Sequence, residues 1–485
     1  MDSRIAKAGD IFFAIKGGSF DGNQFVEEVI KKGVKFIVTD NPDTLNNSKA
    51  TINEVNISLV EDTRIALAEY IDIFYPLFPK YMVAATGTNG KTSVVSYCLQ
   101  LYSLLGVDSS SIGTIGVEHS KGINLVEIKK ILENFPNLTT LDPITIRCIL
   151  HILADNNVNY VAFEASSHGL DQKRIEGIKV QAACFTSFSQ DHLDYHKTMD
   201  AYLLAKLRLF TDNLLPGGIA ILNSEIPKLN YIKSYLQMHH IEFLTIGRKG
   251  DLDITATEQS IYGQNISFTY KGQPYNFDTT IIGSFQAVNL LISVMMVHFT
   301  GFHFEEIILQ LPNVVPVKGR LARASDDTSP YHVFIDYAHT PDALEKTLLE
   351  LKKIKLAGGL LKVVFGCGGN RDSKKRKRMG YIASKIADQI IITDDNPRHE
   401  QPNLIRQQII CGILSGFREY IGRNCPNYIE IGDRKAAIVQ TISSLHTNDI
   451  LLIAGKGHEN YQIIQDIKLP FNDFEVAKEA LDSRN

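Results

Sequence analysis

The sequence predicts an α/β protein built as three domains, and three observations carry that prediction. Short apolar runs of β character alternate with helical patterns almost throughout, an arrangement that packs as parallel or mixed sheets covered by helices. At 485 residues the chain is too long for one hydrophobic core, because domains usually run to roughly 100–200 residues. The apolar run Tyr81 to Thr86 breaks into Gly87-Thr88-Asn89-Gly90-Lys91-Thr92-Ser93, a strand that opens through a phosphate-binding loop into a helix.

Taken in order, residues 1–77 have a strand and helix pattern of their own (Ile11 to Ile15, Phe25 to Lys32, Phe36 to Thr39) and end at Pro76 and Pro79. The phosphate loop sits near the start of a central block, 78–317, which closes where Pro312, Pro316 and Gly319 punctuate the chain. The remaining block, 318–485, contains four buried-strand patterns: Val333 to Ile335, Leu361 to Phe365, Ile390 to Ile392 and Ile450 to Ile453. Each runs straight into polar or glycine-rich residues, in turn Asp336 to His339, Gly366 to Arg371, Asp394 to Arg398 and Gly455 to Glu459. Ligands of open α/β sheets bind at the carboxyl ends of strands, so a Rossmann-like third domain with a composite site is expected.

In the loop, Gly87 and Gly90 allow a tight turn that brings backbone N–H groups onto anionic oxygens. Lys91 supplies a point charge, and the Thr92 hydroxyl suits a phosphate-bound Mg²⁺. The helix read over Ser93 to Leu105 directs its positive end at the same phosphates. Ala85 stands where the common pattern has its first glycine. Downstream, the strand Tyr160 to Phe163 ends in Glu164, a carboxylate placed to hold a nucleotide's metal, although a strand-terminal Glu is also an ordinary surface residue. Gln190 to His196 packs Asp191, His192, Asp194 and His196 into one loop, a density that packing alone rarely needs. Lys206, on the amphipathic stretch Tyr202 to Phe210, reads from composition as a solvated lysine.

Composition narrows the partners. With a net charge of −4 and 21% charged residues, nothing favours nucleic acid or an anionic membrane, so small-molecule substrates are expected. No apolar stretch approaches the roughly 20 residues that span a bilayer, and Met1-Asp2-Ser3-Arg4 is unlike a signal peptide, so a cytoplasmic monomer is expected. Cys98, Cys148, Cys184, Cys367, Cys411 and Cys425 are scattered without C-x-x-C spacing and read as reduced, structural thiols.

Four motifs then occur in the order seen in the Mur ligases: Gly87 to Thr92, Glu164 to Leu170, Asp191 to His196 and Asp336-Tyr337-Ala338-His339-Thr340-Pro341. The whole chain resembles that family. Within it, Phe365 to Gly369, Asp395-Asn396-Pro397-Arg398 and Gly455-Lys456-Gly457-His458-Glu459 look like those of members that extend UDP-N-acetylmuramoyl-L-alanyl-D-glutamate by a third residue. The resemblance implies that ATP phosphorylates the D-glutamyl carboxylate, the incoming amine attacks the acyl phosphate, and phosphate leaves. Lys91, Glu164, His192 and Lys206 would be catalytic. Thr92, Glu164, His192 and Lys206, the last as a carbamylated N6-carboxylysine, would hold Mg²⁺. Asn289, Arg320 and Asp336 would join Gly87 to Ser93 around ATP. Ser3 and the turn Gly18-Ser19-Phe20 would hold uridine in a UDP-binding first domain, with Thr139, Thr140, Ser166, Gln172 and Arg174 on the muramoyl dipeptide.

By the same resemblance, Asp395-Asn396-Pro397-Arg398 is the signature of enzymes that add meso-diaminopimelate. Arg371 and Arg398 would pair its distal carboxylate, while Glu459 and the Gly455 carbonyl take its ammonium. Lysine has no distal carboxylate and would leave a buried Arg unpaired. Some positions depart from the family: relatives have a leading segment before Asp2-Ser3, and Leu138, Gln286 and Ala322 replace polar or acidic residues. The basic run Lys374 to Arg378 is read as a solvated helix start. The alternatives are a lysine-adding or folylpolyglutamate-type ligase, and a nucleotide switch without ligase activity.

Overall fold

Strand β1 (Ile11–Phe13), β2 (Phe36–Thr39) and β3 (Asn56–Leu59) form a small parallel sheet in the order β1-β2-β3. The computed structural model describes residues 1–18, 20–47, 55–133, 138–418 and 427–484, so Ser19 and Cys425 lie outside the described residues. Alternation along β1 and β2 sends Phe12 and Ile37 to one face, against Val26 and Val29, and Phe13 and Val38 to the other, against Leu67 and Ile71 of the helix Thr63–Phe74.

The second sheet has ten strands: β4 (Tyr81–Thr86), β5 (Ser109–Gly113), β6 (Gly116–His119), β7 (Tyr160–Glu164), β8 (Val180–Phe185), β9 (Leu214–Asn223), β10 (Glu242–Gly247), β11 (Leu252–Ser260), β12 (Gly263–Tyr270) and β13 (Gln273–Thr279). Its order is β13-β12-β11-β10-β9-β8-β4-β7-β5-β6. Pairing from β10 to β5 is parallel, while β11 to β13 form an antiparallel meander and β6 folds back on β5. The central strand β4 is buried from Met82 onward, which explains its unbroken apolar run. Helices Lys91–Leu104 and Ser284–His298 cover one face, and Pro143–Asp155 and Met199–Arg208 the other.

The third sheet contains β14 (Ala322–Arg323), β15 (His332–Asp336), β16 (Leu361–Phe365), β17 (Gln389–Ile392), β18 (Tyr428–Glu430) and β19 (Ile450–Ala454), in the order β14-β15-β19-β16-β17-β18. All pairs except β14 with β15 are parallel, and β15, β16 and β19 are buried at every residue. Parallel pairing lines up the carboxyl ends, so the segments after Asp336, Ala454, Phe365 and Ile392 emerge side by side. A hairpin of β20 (Tyr461–Ile464) and β21 (Ile467–Pro470) lies against the last of them through a bridge between Arg398 and Ile464.

Charged contacts join these units. Arg147, almost fully buried on the helix Pro143–Asp155, pairs with Asp72 at 2.9 Å, and Lys173 with Asp62 at 2.6 Å. Glu350 accepts from the backbone N and the hydroxyl of Ser284, both at 2.8 Å, placing a carboxylate on the positive end of the helix Ser284–His298. The basic run departs from its expectation. Arg376 is buried, forks onto Glu400 at 2.8 and 2.9 Å and reaches Gln408, while the Lys375 amine donates to the His339 carbonyl at 2.9 Å. Only part of that run is solvated, because its helix packs directly under the site.

Arg434 and Asp473 form the most enclosed ion pair of the third domain, both side chains 0% exposed, joined at 2.8 and 2.7 Å. Removing one partner strands the other charge. Arg434→Met is therefore expected to lower stability by about 3–5 kcal/mol, measured as a denaturant midpoint; a loss under about 1 kcal/mol would contradict this.

Candidate active site

The phosphate loop is built by steric exclusion. Gly87 (φ 146°) leaves no room for a Cβ, which would sit 2.0 Å from Thr186 Oγ1, and Gly90 (φ 93°) is left-handed with Asn289 Oδ1 only 2.8 Å from that point. Gly90 also caps the helix Lys91–Leu104, whose free N–H groups face a cleft of about 410 Å³. Asn89, Lys91, Thr92, Glu164, His192, Asn289, Arg320 and Asp336 all line that cleft. The nucleotide and metal residues expected from the sequence are thus brought together, apart from Lys206, which reaches the loop from behind.

Lys206 is 1% exposed, so the solvated reading of it is overturned. Its amine donates to the Gly87 carbonyl at 2.8 Å and lies 4.4 Å from the Tyr202 ring centre. Lys91 donates to the same Gly87 carbonyl at 2.9 Å and to that of Thr88 at 3.1 Å. Burial, and then the charge of Lys91, hold the Lys206 amine well below its ordinary range. Composition could not show this, because the helix Met199–Arg208 buries Tyr202, Leu203, Ala205, Lys206 and Leu207 on more than one side.

Glu164 is buried at the end of β7. Its Oε1 accepts from the Thr114 backbone N at 2.8 Å and its Oε2 from the Thr114 hydroxyl at 3.1 Å. Thr114 was invisible to motif reading; the one signal was its place after the glycine that ends β5, where a Cβ on Gly113 would lie 2.3 Å from Glu164 Oε1. His192 sits in a left-handed conformation (φ 53°), its Nε2 3.5 Å from Asp191 Oδ2 and its ring edge-on to His168 at 4.7 Å. Burial above all lowers His192, His168, His196 and His339 to about 4 each, against the opposing charge of Asp191 in the case of His192, so all four are neutral at pH 7.

On the nucleotide side, Arg320 donates to Thr92 Oγ1 at 2.8 Å and lies 4.4 Å from the Tyr337 ring centre. Asn289 donates to Gln286 at 3.1 Å. Asp336 spends both carboxylate oxygens on backbone, accepting from Leu321 N at 2.6 Å and Ala338 N at 2.8 Å, which fixes the start of the third domain. On the other side of Glu164, Thr140 donates to the Glu164 carbonyl at 2.9 Å and accepts from Ser166 N at 2.8 Å. Arg174 donates to the Thr140 carbonyl at 2.7 Å and forks onto Gln172 Oε1 at 3.1 and 2.8 Å, and Thr139 accepts from the Thr114 hydroxyl at 3.2 Å. These five residues form one polar patch. Among the described residues no hydrogen bond joins Ser3 to it; Ser3 is buried in the first domain, its carbonyl accepting from Lys32 at 2.8 Å. The first domain approaches the patch through Arg64, which donates to the Gln172 carbonyl at 3.1 Å and the Lys16 carbonyl at 2.9 Å, a role no motif announced.

The strand ends of the third sheet build a second pocket. Arg398, itself left-handed (φ 51°), donates to the Gly369 carbonyl at 2.9 Å, and Arg371 and Glu459 are among the charges acting on it. Asn396 donates to Glu459 Oε2 at 3.1 Å. Burial pushes the Asp395 carboxyl up, but Lys456, Arg434 and the bond from Asn396 N together hold it below its ordinary carboxylate range, and a Cβ on Gly455 would meet its Oδ2 at 2.7 Å. Gln462 of the hairpin donates to the Asp395 carbonyl at 2.6 Å and Ile463 N to Asn396 Oδ1 at 2.9 Å, which fixes the loop containing Pro397. A cavity of about 610 Å³, lined by Thr114, Thr139, Glu459 and Tyr461 among others, links this pocket to the polar patch.

A phosphate loop beside a buried carboxylate, connected by one cavity to a pocket of opposite charges, is the arrangement of an ATP-dependent ligase that forms carbon–nitrogen bonds. Comparison with known proteins assigns the lineage. Residues 1–75 match the Mur ligase family catalytic domain, 85–297 the Mur ligase middle domain and 319–457 the glutamate ligase domain of Mur ligases. A UDP-N-acetylmuramoyl-L-alanyl-D-glutamate–2,6-diaminopimelate ligase of Rickettsia conorii is 54% identical over 481 residues, covering 99% of this chain and 95% of that protein. A solved structure of a ligase with the same name superposes with a TM-score of 0.67 at 29% identity, over 100% of this chain and 94% of that one. A folylpolyglutamate synthase of Mycobacterium tuberculosis, solved with ADP and AMPPCP, shares the fold at a TM-score of 0.64 and 17% identity, over 82% of this chain and 92% of that one. The chain belongs to the Mur ligase family.

The neutral histidines set a pH dependence. Each is lowered in the folded state from about 6.5 to about 4, so between those values the unfolded chain binds more protons than the folded one. Stability is expected to fall as pH drops from 6.5 to 4, with a shallower slope in His339→Gln, read from denaturant midpoints at successive pH values. A slope unchanged by that substitution would contradict the assignment.

Proposed function

We propose that this chain joins 2,6-diaminopimelate to UDP-N-acetylmuramoyl-L-alanyl-D-glutamate in peptidoglycan precursor synthesis, at the expense of ATP and through an acyl phosphate. The observation that carries the reading is that one pocket holds both Arg398, bonded only to backbone carbonyls among the described residues, and Glu459, held by Asn396 from 63 residues away. A cation and an anion in one pocket suit the zwitterionic far end of diaminopimelate, in its meso form, and suit lysine poorly because Arg398 would lose its partner. Nucleotide switching needs no such pocket, and a folylpolyglutamate-type ligase shares the fold alone.

The residues fit Mg²⁺ as well as ATP. Magnesium takes one or two carboxylates together with substrate phosphates and water, so it needs no prebuilt cage, and none of three or more His, Cys, Asp or Glu occurs among the described residues. Thr92, Glu164 and the neutral His192 would hold it, and a carbamylated Lys206 would add a second anion. Bound there, the ion would neutralise charge on the transferring phosphoryl group. Carbamylation needs an unprotonated amine, which attacks CO₂ and releases one proton. Burial beside Lys91 shifts Lys206 toward that form.

In the reaction, Lys91 and the loop N–H groups hold the terminal phosphates while the polar patch of Thr139, Thr140, Ser166, Gln172 and Arg174 holds the acceptor carboxylate near Glu164. The amine of the incoming amino acid arrives from the cavity lined by Glu459 and adds to the activated carbonyl. The tetrahedral intermediate then collapses, its C–O bond to phosphate breaking to release inorganic phosphate, while the nitrogen gives up a proton to solvent. Work of this kind is positioning and charge neutralisation. All three domains contribute, so a single chain working as a monomer in the cytoplasm completes the site; among the described residues no helix is long and apolar enough to cross a membrane.

Phosphate release from ATP is expected with the UDP-muramoyl dipeptide plus diaminopimelate and not with lysine, and equal release without an amino acid would refute ligase activity. Arg398→Lys is expected to raise the KM for diaminopimelate by about tenfold or more, a loss of roughly 1.4 kcal/mol, because the planar fork is gone. Carbon-13 NMR in labelled bicarbonate should show a carbamate signal that disappears in Lys206→Ala; a signal persisting in the variant would place the modification elsewhere.

A further inference from the structure

One buried cation of the third domain has no part in the chemistry above. Lys456 is fully buried, and its amine donates to Glu459 Oε2 at 3.0 Å and to Asn396 Oδ1 at 3.1 Å. Asn396 in turn donates to the same Glu459 oxygen at 3.1 Å, closing a ring of three side chains. Backbone from the hairpin, Ile463 N, adds a second bond to Asn396 Oδ1 at 2.9 Å. Desolvating an ammonium is costly, and a simpler way to satisfy Glu459 lies close by: Arg398, on which the Glu459 charge already acts. Yet Arg398 turns its guanidinium to the carbonyls of Gly369 at 2.9 Å and Asn396 at 3.5 Å, and among the described residues it makes no ion pair.

We infer that Lys456 is a positioning residue that keeps Glu459 and Arg398 apart, so that both remain available to the ammonium and carboxylate of an amino acid head group. The inference rests on the amino acid reading of this pocket and adds how its specificity is maintained. Glu459 Oε2 is engaged twice, by Lys456 and Asn396, while Oε1 makes no hydrogen bond among the described residues and the side chain lines the 610 Å³ cavity. Left to themselves, a carboxylate and a guanidinium facing one pocket pair with each other, and a ligand then has to break that pair before binding. With Lys456 already satisfying Glu459, the ligand meets two preformed receptors. Asp395 and Arg434 complete the charge balance beneath, Lys456 being the leading charge partner of Asp395.

The test uses the full chain in the amino acid-dependent phosphate assay. Lys456→Met is expected to raise the KM for diaminopimelate by about tenfold or more while the KM for ATP stays within about twofold, and Lys456→Arg should recover part of the loss. Because Lys456 acts through Glu459, the double variant Lys456→Met with Glu459→Gln should be no weaker toward diaminopimelate than Glu459→Gln alone. An unchanged diaminopimelate KM in Lys456→Met, a parallel rise in both KM values, or additive losses in the double variant would each overturn the inference. Phosphate release by the unsubstituted enzyme without any amino acid would instead overturn the amino acid reading, and this inference with it.

Discussion

Two lysine amines share one carbonyl. Lys91 and Lys206 both donate to Gly87 O, at 2.9 and 2.8 Å, and among the described residues neither has an anion as its hydrogen-bond partner. In a buried site two ammonium ions this close repel strongly, so one must lose its proton or gain a counter-charge. Lys91 has the phosphates of ATP to come; both amines are lowered by burial, and Lys206, behind the loop, is held well below its ordinary range by burial and then by the charge of Lys91. The loop carbonyl and the lowered Lys206 are therefore tied to a single crowded point.

The rest of the site is arranged by strand ends. In the central sheet, β4 lies between β7 and β8, so the phosphate loop, Glu164 and the segment holding Asp191 and His192 are adjacent by parallel pairing alone. The third sheet repeats the principle with opposite charges in place of a phosphate cradle. Between the two, Arg320 bonds Thr92 and the buried Glu350 bonds the Ser284 helix terminus, while Ile261 and Ile282 pack into the apolar core of the third domain. The chemistry is thus divided: one sheet handles phosphate, the other recognises an amino acid, and one cavity joins them.

What could be read early was whatever chemistry compresses into short motifs. Gly87 to Thr92 and Asp395 to Arg398 are contiguous, so residue type and spacing sufficed. Thr114, Arg64 and Lys456 escaped, since each acts through a partner 50 or more residues away or within a motif whose other members drew the attention. The basic run was misjudged for the same reason: charge density along the chain says nothing about which side faces Glu400 and His339.

The sequence by itself determined the α/β class, the phosphate loop, the strand-end clusters and, through its motifs, the family, because β-strand patterning and glycine-dependent turns are local properties of the chain. Tertiary structure alone decided the state of Lys206, the burial of Arg376 and the role of Lys456. Each depends on desolvation and on charges contributed by distant segments, and a solvation energy belongs to a position in the fold, with no counterpart in the residue type.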